Sequence, residues 1–377
     1  MKRALILSGG GARAAYQVGV LHALAEILPD DNSHPFPIIC GTSAGAINAL
    51  ALAAHPGTFK ESVNALANMW RNLTVGDVYL HSWTDIIKGL GLLGLSLFNQ
   101  GIGRQRPLSL LDNAPLWDLL GTRIPFHNIS HAIDSGKLFA VSVSAMGYSS
   151  GHTVSFFQGH ESIQGWTRYR RAGVATPLRL EHLLASSAIP TIFPAVRINR
   201  EYFGDGALRQ LAPISPALHL GAESLFVIGV SGNKSTAKQQ KRVPIKHSPS
   251  MGQIVGHLLN SAFVDSLEGD LEHMELVNQL VKLIPEENRP ADFKLRAVDN
   301  MVISPSSPLD VIAGRNIRYL PESLRFFLRA IGATRKGGGA TAASYLLFST
   351  EFITDLMELG RQDALAEAEA LKAFFAR

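Results

Sequence analysis

A single cysteine, Cys40, stands among 377 residues, which excludes an intrachain disulfide framework and a zinc cluster built on cysteine. A reducing compartment suits such a chain best. Long apolar runs are missing as well. The longest Gly/Leu-rich run, Gly89 to Phe98, falls well short of the roughly 18–20 residues needed to cross a bilayer. No transmembrane helix is expected. Lys2 and Arg3 open the chain as they would a signal peptide, but only Ala4 to Leu7 follow before Ser8 and three glycines. That is too short for an export core of about 7–15 residues. The expectation is a cytoplasmic protein, for which a peripheral position at the inner face of the cell membrane is compatible. Charge imbalance is also small: 35 Lys and Arg against 31 Asp and Glu leave +4. This supplies no argument for nucleic-acid binding and is compatible with weak attraction to anionic membranes.

What is present is a globular composition, 46% hydrophobic and 18% charged, long enough for one large domain with an appendage or for two. Ala4 to Leu7 reads as a short strand buried on both faces. Gly9-Gly10-Gly11 breaks it, and from Ala14 to Leu28 apolar residues recur at helical spacing, including Val18, Leu21, Ala25 and Leu28. Pro37 to Cys40 is the next strand. Strand, glycine turn, helix and strand make a βαβ unit with parallel strands. Further strands are expected at Leu138–Val143, Thr153–Phe157, Ala195–Ile198 and Leu225–Val230. The predicted fold is a three-layer α/β/α core with a mainly parallel sheet, spanning residues 4–231. A basic linker or loop at 232–253 follows, with Lys234, Lys238, Lys241, Arg242 and Lys246 and no acid between them. Helices are then expected at Ile254–Leu283, Glu322–Ile331, Ser344–Leu359 and Asp363–Phe375, as a helical portion (254–377) packed on the core and hinged at Gly337–Gly339. Val75 to Pro107, containing Trp83 and Arg104-Gln105-Arg106, follows neither period and is read as a mobile cap.

Three short motifs carry chemistry. Gly41-Thr42-Ser43-Ala44-Gly45 lies between a strand and the apolar segment Ala46–Ala54. In that context G-x-S-x-G is a nucleophile elbow, with Ser43 at the sheet's carboxyl edge and at a helix N-terminus, where developing negative charge is favoured. Ser8-Gly9-Gly10-Gly11-Ala12-Arg13 leaves backbone N–H groups uncovered, as an oxyanion hole needs. Read alone, Gly9-x-Gly11-x-x-Ala14 also fits a relaxed dinucleotide loop, which expects an acid at the end of the second strand. Here that strand runs through Cys40-Gly41 straight into the serine motif. Arg13 is a candidate substrate ligand, able to meet a phosphate or to pair with an acid. Gly204-Asp205-Gly206-Ala207 by itself is a turn. A nucleophilic serine needs a base, either a carboxylate or a histidine such as His219, His247, His257 or His273, none of them in a distinctive loop.

Taken together and in order, these motifs resemble the patatin-like phospholipase family. Gly9-Gly10-Gly11-Ala12-Arg13 is similar to its glycine-rich oxyanion motif, Gly41-Thr42-Ser43-Ala44-Gly45 to its nucleophile elbow, and Asp205-Gly206-Ala207 to its catalytic aspartate motif. Ala185-Ser186-Ser187-Ala188-Ile189-Pro190 and Phe193-Pro194 resemble the stretch ahead of that aspartate. Ser8 stands where some members have an acid, and Ala14 where many have glycine. The resemblance covers about Ala4 to Val230, and is looser at Ser344–Phe348 and Leu359–Ala364.

The resemblance implies a Ser43–Asp205 dyad with no histidine, an oxyanion hole from Gly9, Gly10 and Gly11, and a phospholipid or related acyl lipid as substrate. No cofactor or metal is called for. The alternatives are a dinucleotide-dependent enzyme using the Gly9–Ala14 loop and a catalytically silent lipid-binding regulator. For membrane contact, Leu324, Phe327, Leu328 and Ile331 follow helical spacing with Arg325 and Arg329 beside them, and can be read as a surface helix or as one packed on the core. Trp166–Arg171 is a second aromatic and basic cluster, read by default as a solvated loop.

Overall fold

The structure, a computed structural model, describes residues 2–377 apart from 30–33, 99–106, 211, 231–247, 286–287, 291–292, 294 and 334–339. The basic linker at Lys234–Lys246, with His247, the Gly337–Gly339 hinge and Arg104–Arg106 lie outside the described residues.

The architecture is mixed α/β with a central, mostly parallel sheet. Its elements begin with β1 (Arg3–Leu7), a 3₁₀ turn (Gly11–Ala14), α1 (Ala15–Ile27), β2 (Ile38–Thr42), α2 (Ala44–Ala53) and α3 (Phe59–Arg71). β1 is apolar throughout its buried length because it has β2 on one side and β9 (Ser224–Ile228) on the other, both parallel, with helices over both faces. The β1–β2 register pairs Leu7 with Gly41, so the turns leaving these strands emerge side by side at one edge of the sheet. β2 also pairs in parallel with β3 (Ala140–Gly147), aligning Thr42 with Ser144. β3 pairs antiparallel with both β4 (Thr153–Gly159) and β8 (Glu201–Asp205), and its Ala145 faces Asp205. Two registers therefore carry Asp205 to within one residue's rise of Ser43, although 162 positions separate them in the chain.

The rest of the chain completes this core instead of merely resting on it. Asp299–Ile303, in a portion expected to be helical, forms strand β10, parallel to β9 at the sheet edge. A five-residue run of mixed polarity gives no local strand signal; the pairing partner decides it. The expected helix Ser344–Leu359 is two helices, Ala340–Leu346 and Thr350–Ala366, because Ser349 accepts the N–H of Phe352 and starts a new N-terminus. Thr350–Ala366 lies along α1 so closely that a Cβ on Gly360 would fall 2.2 Å from the carbonyl oxygen of Tyr16. The expected helix Ile254–Leu283 starts earlier, at Met251 behind a Ser250 cap, and is interrupted by a π-helical turn at Ser261–Asp265.

Two surface expectations are corrected, and an open choice is decided for the packed reading. Val75–Pro107 contains a 16-residue helix, α4 (Trp83–Phe98). Trp166–Arg168 and Arg171–Ala175 are paired strands, β5 and β6, and not a loop. In the helix Glu322–Ala330, Leu324 and Leu328 are buried, and Phe327 and Ile331 pack against the core, so the face considered for lipid is an inner face. Among the described residues no helix is long and apolar enough to cross a membrane.

Candidate active site

Ser43 sits at the turn between β2 and α2 with φ 55° and ψ −130°, a left-handed conformation that costs a β-carbon residue roughly 1–3 kcal/mol. Local bonds hold it there. Its N–H donates to Ser186 Oγ at 2.8 Å, that hydroxyl donates to the Ser144 carbonyl at 2.6 Å, and the Ser43 carbonyl accepts the N–H of Ala46 at 2.8 Å. Gly45 allows the turn to be this tight: a Cβ there would meet the carbonyl oxygens of Leu7 and Ser8 at 2.3 and 2.5 Å. The first turn of α2 lies directly behind the hydroxyl, adding the positive end of a buried helix.

Ser43 Oγ donates to Asp205 Oδ2 at 2.6 Å. Asp205 is fully buried, its Oδ1 accepts the N–H of Ala207 at 3.0 Å, and its own N–H donates to the Ala188 carbonyl at 2.9 Å. Burial pushes the Asp205 carboxyl up to about 7, against the opposing pull of the hydrogen bonds from Ser43 and Ala207. No histidine takes part among the described residues. His219 is stacked on Trp166 and bonded to the Ser215 carbonyl, while His257 and His273 are exposed.

The glycine loop passes beside this pair. Among the described residues no acceptor takes the backbone N–H of Gly9, Gly10 or Gly11. Gly11 has φ +55°, and a Cβ on it would lie 2.2 Å from the Tyr345 carbonyl oxygen, so only glycine fits. The loop is anchored by a buried polar chain. Gln17 Nε2 donates to the Ser8 carbonyl at 2.8 Å, Asn48 Nδ2 to Gln17 Oε1 at 2.9 Å, and Trp70 Nε1 to Asn48 Oδ1 at 2.7 Å. A second chain fastens the Asp205 side: Thr42 Oγ1 donates to Gln210 Oε1 at 2.8 Å, and Gln210 Nε2 to Ser144 Oγ at 3.3 Å.

Arg13, read from the sequence as a substrate ligand, is a structural clasp. It is 4% exposed, with Nε donating to Ser344 Oγ at 2.7 Å, Nη1 to Asn260 Oδ1 and Tyr345 OH, and Nη2 to the Thr341 carbonyl. The guanidinium also lies 4.2 Å from the centre of the Tyr345 ring. Its donors are engaged in holding the C-terminal helices against the glycine loop.

Sequence reasoning assigned no role to Ser186, Gln210 or Phe263. Phe263, on the π-helical turn, packs on the glycine loop next to the site: a Cβ on Gly9 would lie 2.7 Å from the Phe263 ring and 3.0 Å from Ser43 Cβ. The ring is buried against Tyr345, and Ser43 itself is only 2% exposed. A π-turn inside a long helix was the one locally irregular feature that marked this spot, and no sequence period announces it.

Comparison with known proteins adds the following. The family model for Patatin-like phospholipase matches residues 5–218. A curated relative, the cGAMP-activated phospholipase of Pseudomonas aeruginosa (strain BWHPSA011 / Pa011), is 32% identical over 218 residues, which is 57% of this chain and 55% of that protein. The match thus spans about half the length of the relative. Among solved structures, human GIVD cytosolic phospholipase A2 aligns over 100% of this chain and 60% of its own, at 11% identity and a TM-score of 0.45. VipD from Legionella pneumophila aligns over 98% and 67%, at 12% identity and a TM-score of 0.33.

Proposed function

The chain belongs to the patatin-like phospholipase family, and from that membership we propose that it is a lipid acyl hydrolase in which Ser43 is the nucleophile and Asp205 the base. The observation that carries the proposal is the 2.6 Å hydrogen bond from Ser43 Oγ to a buried carboxylate whose pKa is raised to about 7. A carboxylate in its ordinary range is a weak base for an alcohol; one titrating near neutrality is well matched to general-base work.

In the proposed reaction Ser43 Oγ attacks the acyl carbonyl carbon as its proton passes to Asp205. The tetrahedral oxyanion is stabilised by the free N–H groups of the Gly9–Gly11 loop and by the N-terminus of α2. Collapse expels the alcohol, which takes the proton from Asp205, and leaves an acyl-serine. Water, deprotonated by Asp205, then attacks the acyl carbon, and Asp205 returns that proton to Ser43 Oγ as the acid leaves. The strained backbone of Ser43 keeps the hydroxyl on the loop side of the turn, so no reorganisation is needed at the moment of attack. The rival dinucleotide reading lacks support at the end of β2, where Thr42 runs directly into Ser43 and supplies no acid for a ribose.

Because Ser43 and Asp205 are buried, with Phe263 packed on the glycine loop beside them, the enzyme in this reading must open before it turns over. The curated relative is activated by cGAMP, which makes that nucleotide the first additive to include in activity assays. The test of the proposal is labelling with a fluorophosphonate followed by peptide mass analysis. An adduct on Ser43, absent from Ser43→Ala and strongly slowed in Asp205→Asn, is expected. Labelling at another residue, or none under any condition that hydrolyses an ester, would refute the assignment.

A further inference from the structure

α4 (Trp83–Phe98) inverts the pattern of an ordinary surface helix. Its inward face carries Ile86, the half-buried Leu93 and Gly89, the last so close to its neighbour that a Cβ would sit 2.1 Å from the Leu110 carbonyl oxygen. At about 100° per residue, the outward arc carries Trp83, Ile87, Leu90, Leu92 and Leu95, with exposures of 45, 63, 44, 38 and 57%. Gly91 and Gly94 have nothing within 4 Å of where a Cβ would stand, so that side of the helix is open. Phe326, 61% exposed on the neighbouring helix Glu322–Ala330, extends the surface with its ring centre 5.4 Å from that of Trp83. The two helices are tied through Ser323 Oγ, which donates to the His81 carbonyl at 2.5 Å.

We propose that this surface docks the protein on a lipid bilayer, with α4 lying in the interfacial plane. Two cations decide between a bilayer and a second copy of the chain. Lys88 on α4 and Arg329 beside Phe326 form no ion pair among the described residues. The nearby acids are already engaged: Asp85 accepts from Ser82, and Glu322 faces Arg325. An apolar surface that carries two cations with no ion partner among the described residues complements an anionic lipid surface, whereas two copies would bring like charges together. At 16 residues, about 24 Å, α4 is an in-plane element and not a spanning one.

The surface also connects to the site, an argument that rests on the acyl-hydrolase reading. Leu110, on which Gly89 packs, and its neighbour Leu111 donate their N–H groups to the carbonyls of Thr191 and Ile192 at 2.8 and 2.9 Å. That turn follows Ala188, whose carbonyl holds the Asp205 N–H. A bilayer against α4 is therefore joined to the base through one short run of hydrogen-bonded backbone.

The experiment separates docking from chemistry by using Ser43→Ala protein. It is sedimented with phosphatidylcholine vesicles containing one quarter phosphatidylglycerol, a ratio chosen as roughly that of a strongly anionic leaflet, while tryptophan emission is recorded. Co-sedimentation with a blue shift that is lost in Trp83→Phe is expected. Ile87→Glu with Leu95→Glu should weaken vesicle affinity by at least about tenfold. In the Ser43 enzyme the same pair should leave hydrolysis of a soluble p-nitrophenyl ester unchanged. Protein that stays in the supernatant, a double variant that binds as well as its parent, or a dimer that the double variant splits would each overturn the proposal.

Discussion

The protonation of Asp205 makes a demand on both activity and stability. Its carboxyl is raised from 3.8 to about 7 by desolvation, so the basic form is available only above neutrality. The kcat/KM for a soluble p-nitrophenyl ester should rise about tenfold per pH unit up to pH 7 and then level off, leaving about one hundredth of the plateau at pH 5. Stability should move the other way. The folded state holds the proton between roughly pH 4 and pH 7 while the unfolded chain has released it, so stability falls as pH rises through that window and is flat above it. A displacement of about three units corresponds to about 4 kcal/mol of stability lost across the window. Asp205→Asn removes the titrating group and should erase this contribution, unfolding at higher temperature than wild type at pH 8 and with a smaller advantage at pH 4, while losing nearly all turnover. Scanning calorimetry at pH 4 to 8 and initial rates from pH 5 to 9 measure both. A rate profile that is level from pH 5 upward, or a wild-type-to-variant difference in unfolding temperature that ignores pH, would refute the reasoning. A histidine elsewhere could imitate the rate limb but not the stability difference.

Gly11→Ala places a methyl against the Tyr345 carbonyl oxygen at a positive φ, and should cost roughly 1–3 kcal/mol in denaturant unfolding and at least tenfold in turnover; a variant with native rates would separate the loop from catalysis. Arg13→Ala should lose roughly 2–4 kcal/mol, because Asn260 and Tyr345 are left without their charged partner, and Arg13→Lys should not restore it, since a lysine cannot reach acceptors on both sides. Unchanged stability would show that the clasp is decorative. Phe263→Ala should speed fluorophosphonate labelling of Ser43 several-fold while costing about 3–5 kcal/mol of stability. Labelling no faster than wild type would mean that the ring does not limit access.

Much of the site's scaffold was legible because the signals are local. The strand Ala4–Leu7, the glycine break, the helix from Ala15 and the strand into Ser43 each follow from a few adjacent residues, and the β1–β2 register then sets the two turns side by side. Asp205 was legible only through its resemblance to a family motif, since an Asp between glycines is ordinary turn chemistry. What brings it to Ser43 is β3, which pairs with β2 on one side and with β8 across its end. The ring of Phe263 and the strand Asp299–Ile303 were not legible, because each is defined by what it packs on and not by its own period. Arg13 shows the converse failure. A basic residue next to a glycine loop suggests an anion ligand, yet here its partners come from residues some 250 to 330 positions downstream. The amphipathic spacing of Leu324, Phe327, Leu328 and Ile331 marks a face, and burial decides that the face looks inward.

In the proposed reaction Ser43, activated by Asp205, cleaves acyl esters of lipids. Incubating wild type and Ser43→Ala in parallel with phospholipid vesicles and with lysophospholipid, with and without cGAMP, and quantifying released fatty acid by mass spectrometry addresses it most directly. The account expects free fatty acid and the matching deacylated lipid from wild type, and none above background from Ser43→Ala of equal unfolding temperature. Equal release by both proteins, or none by wild type from either lipid under any of these conditions, would contradict it.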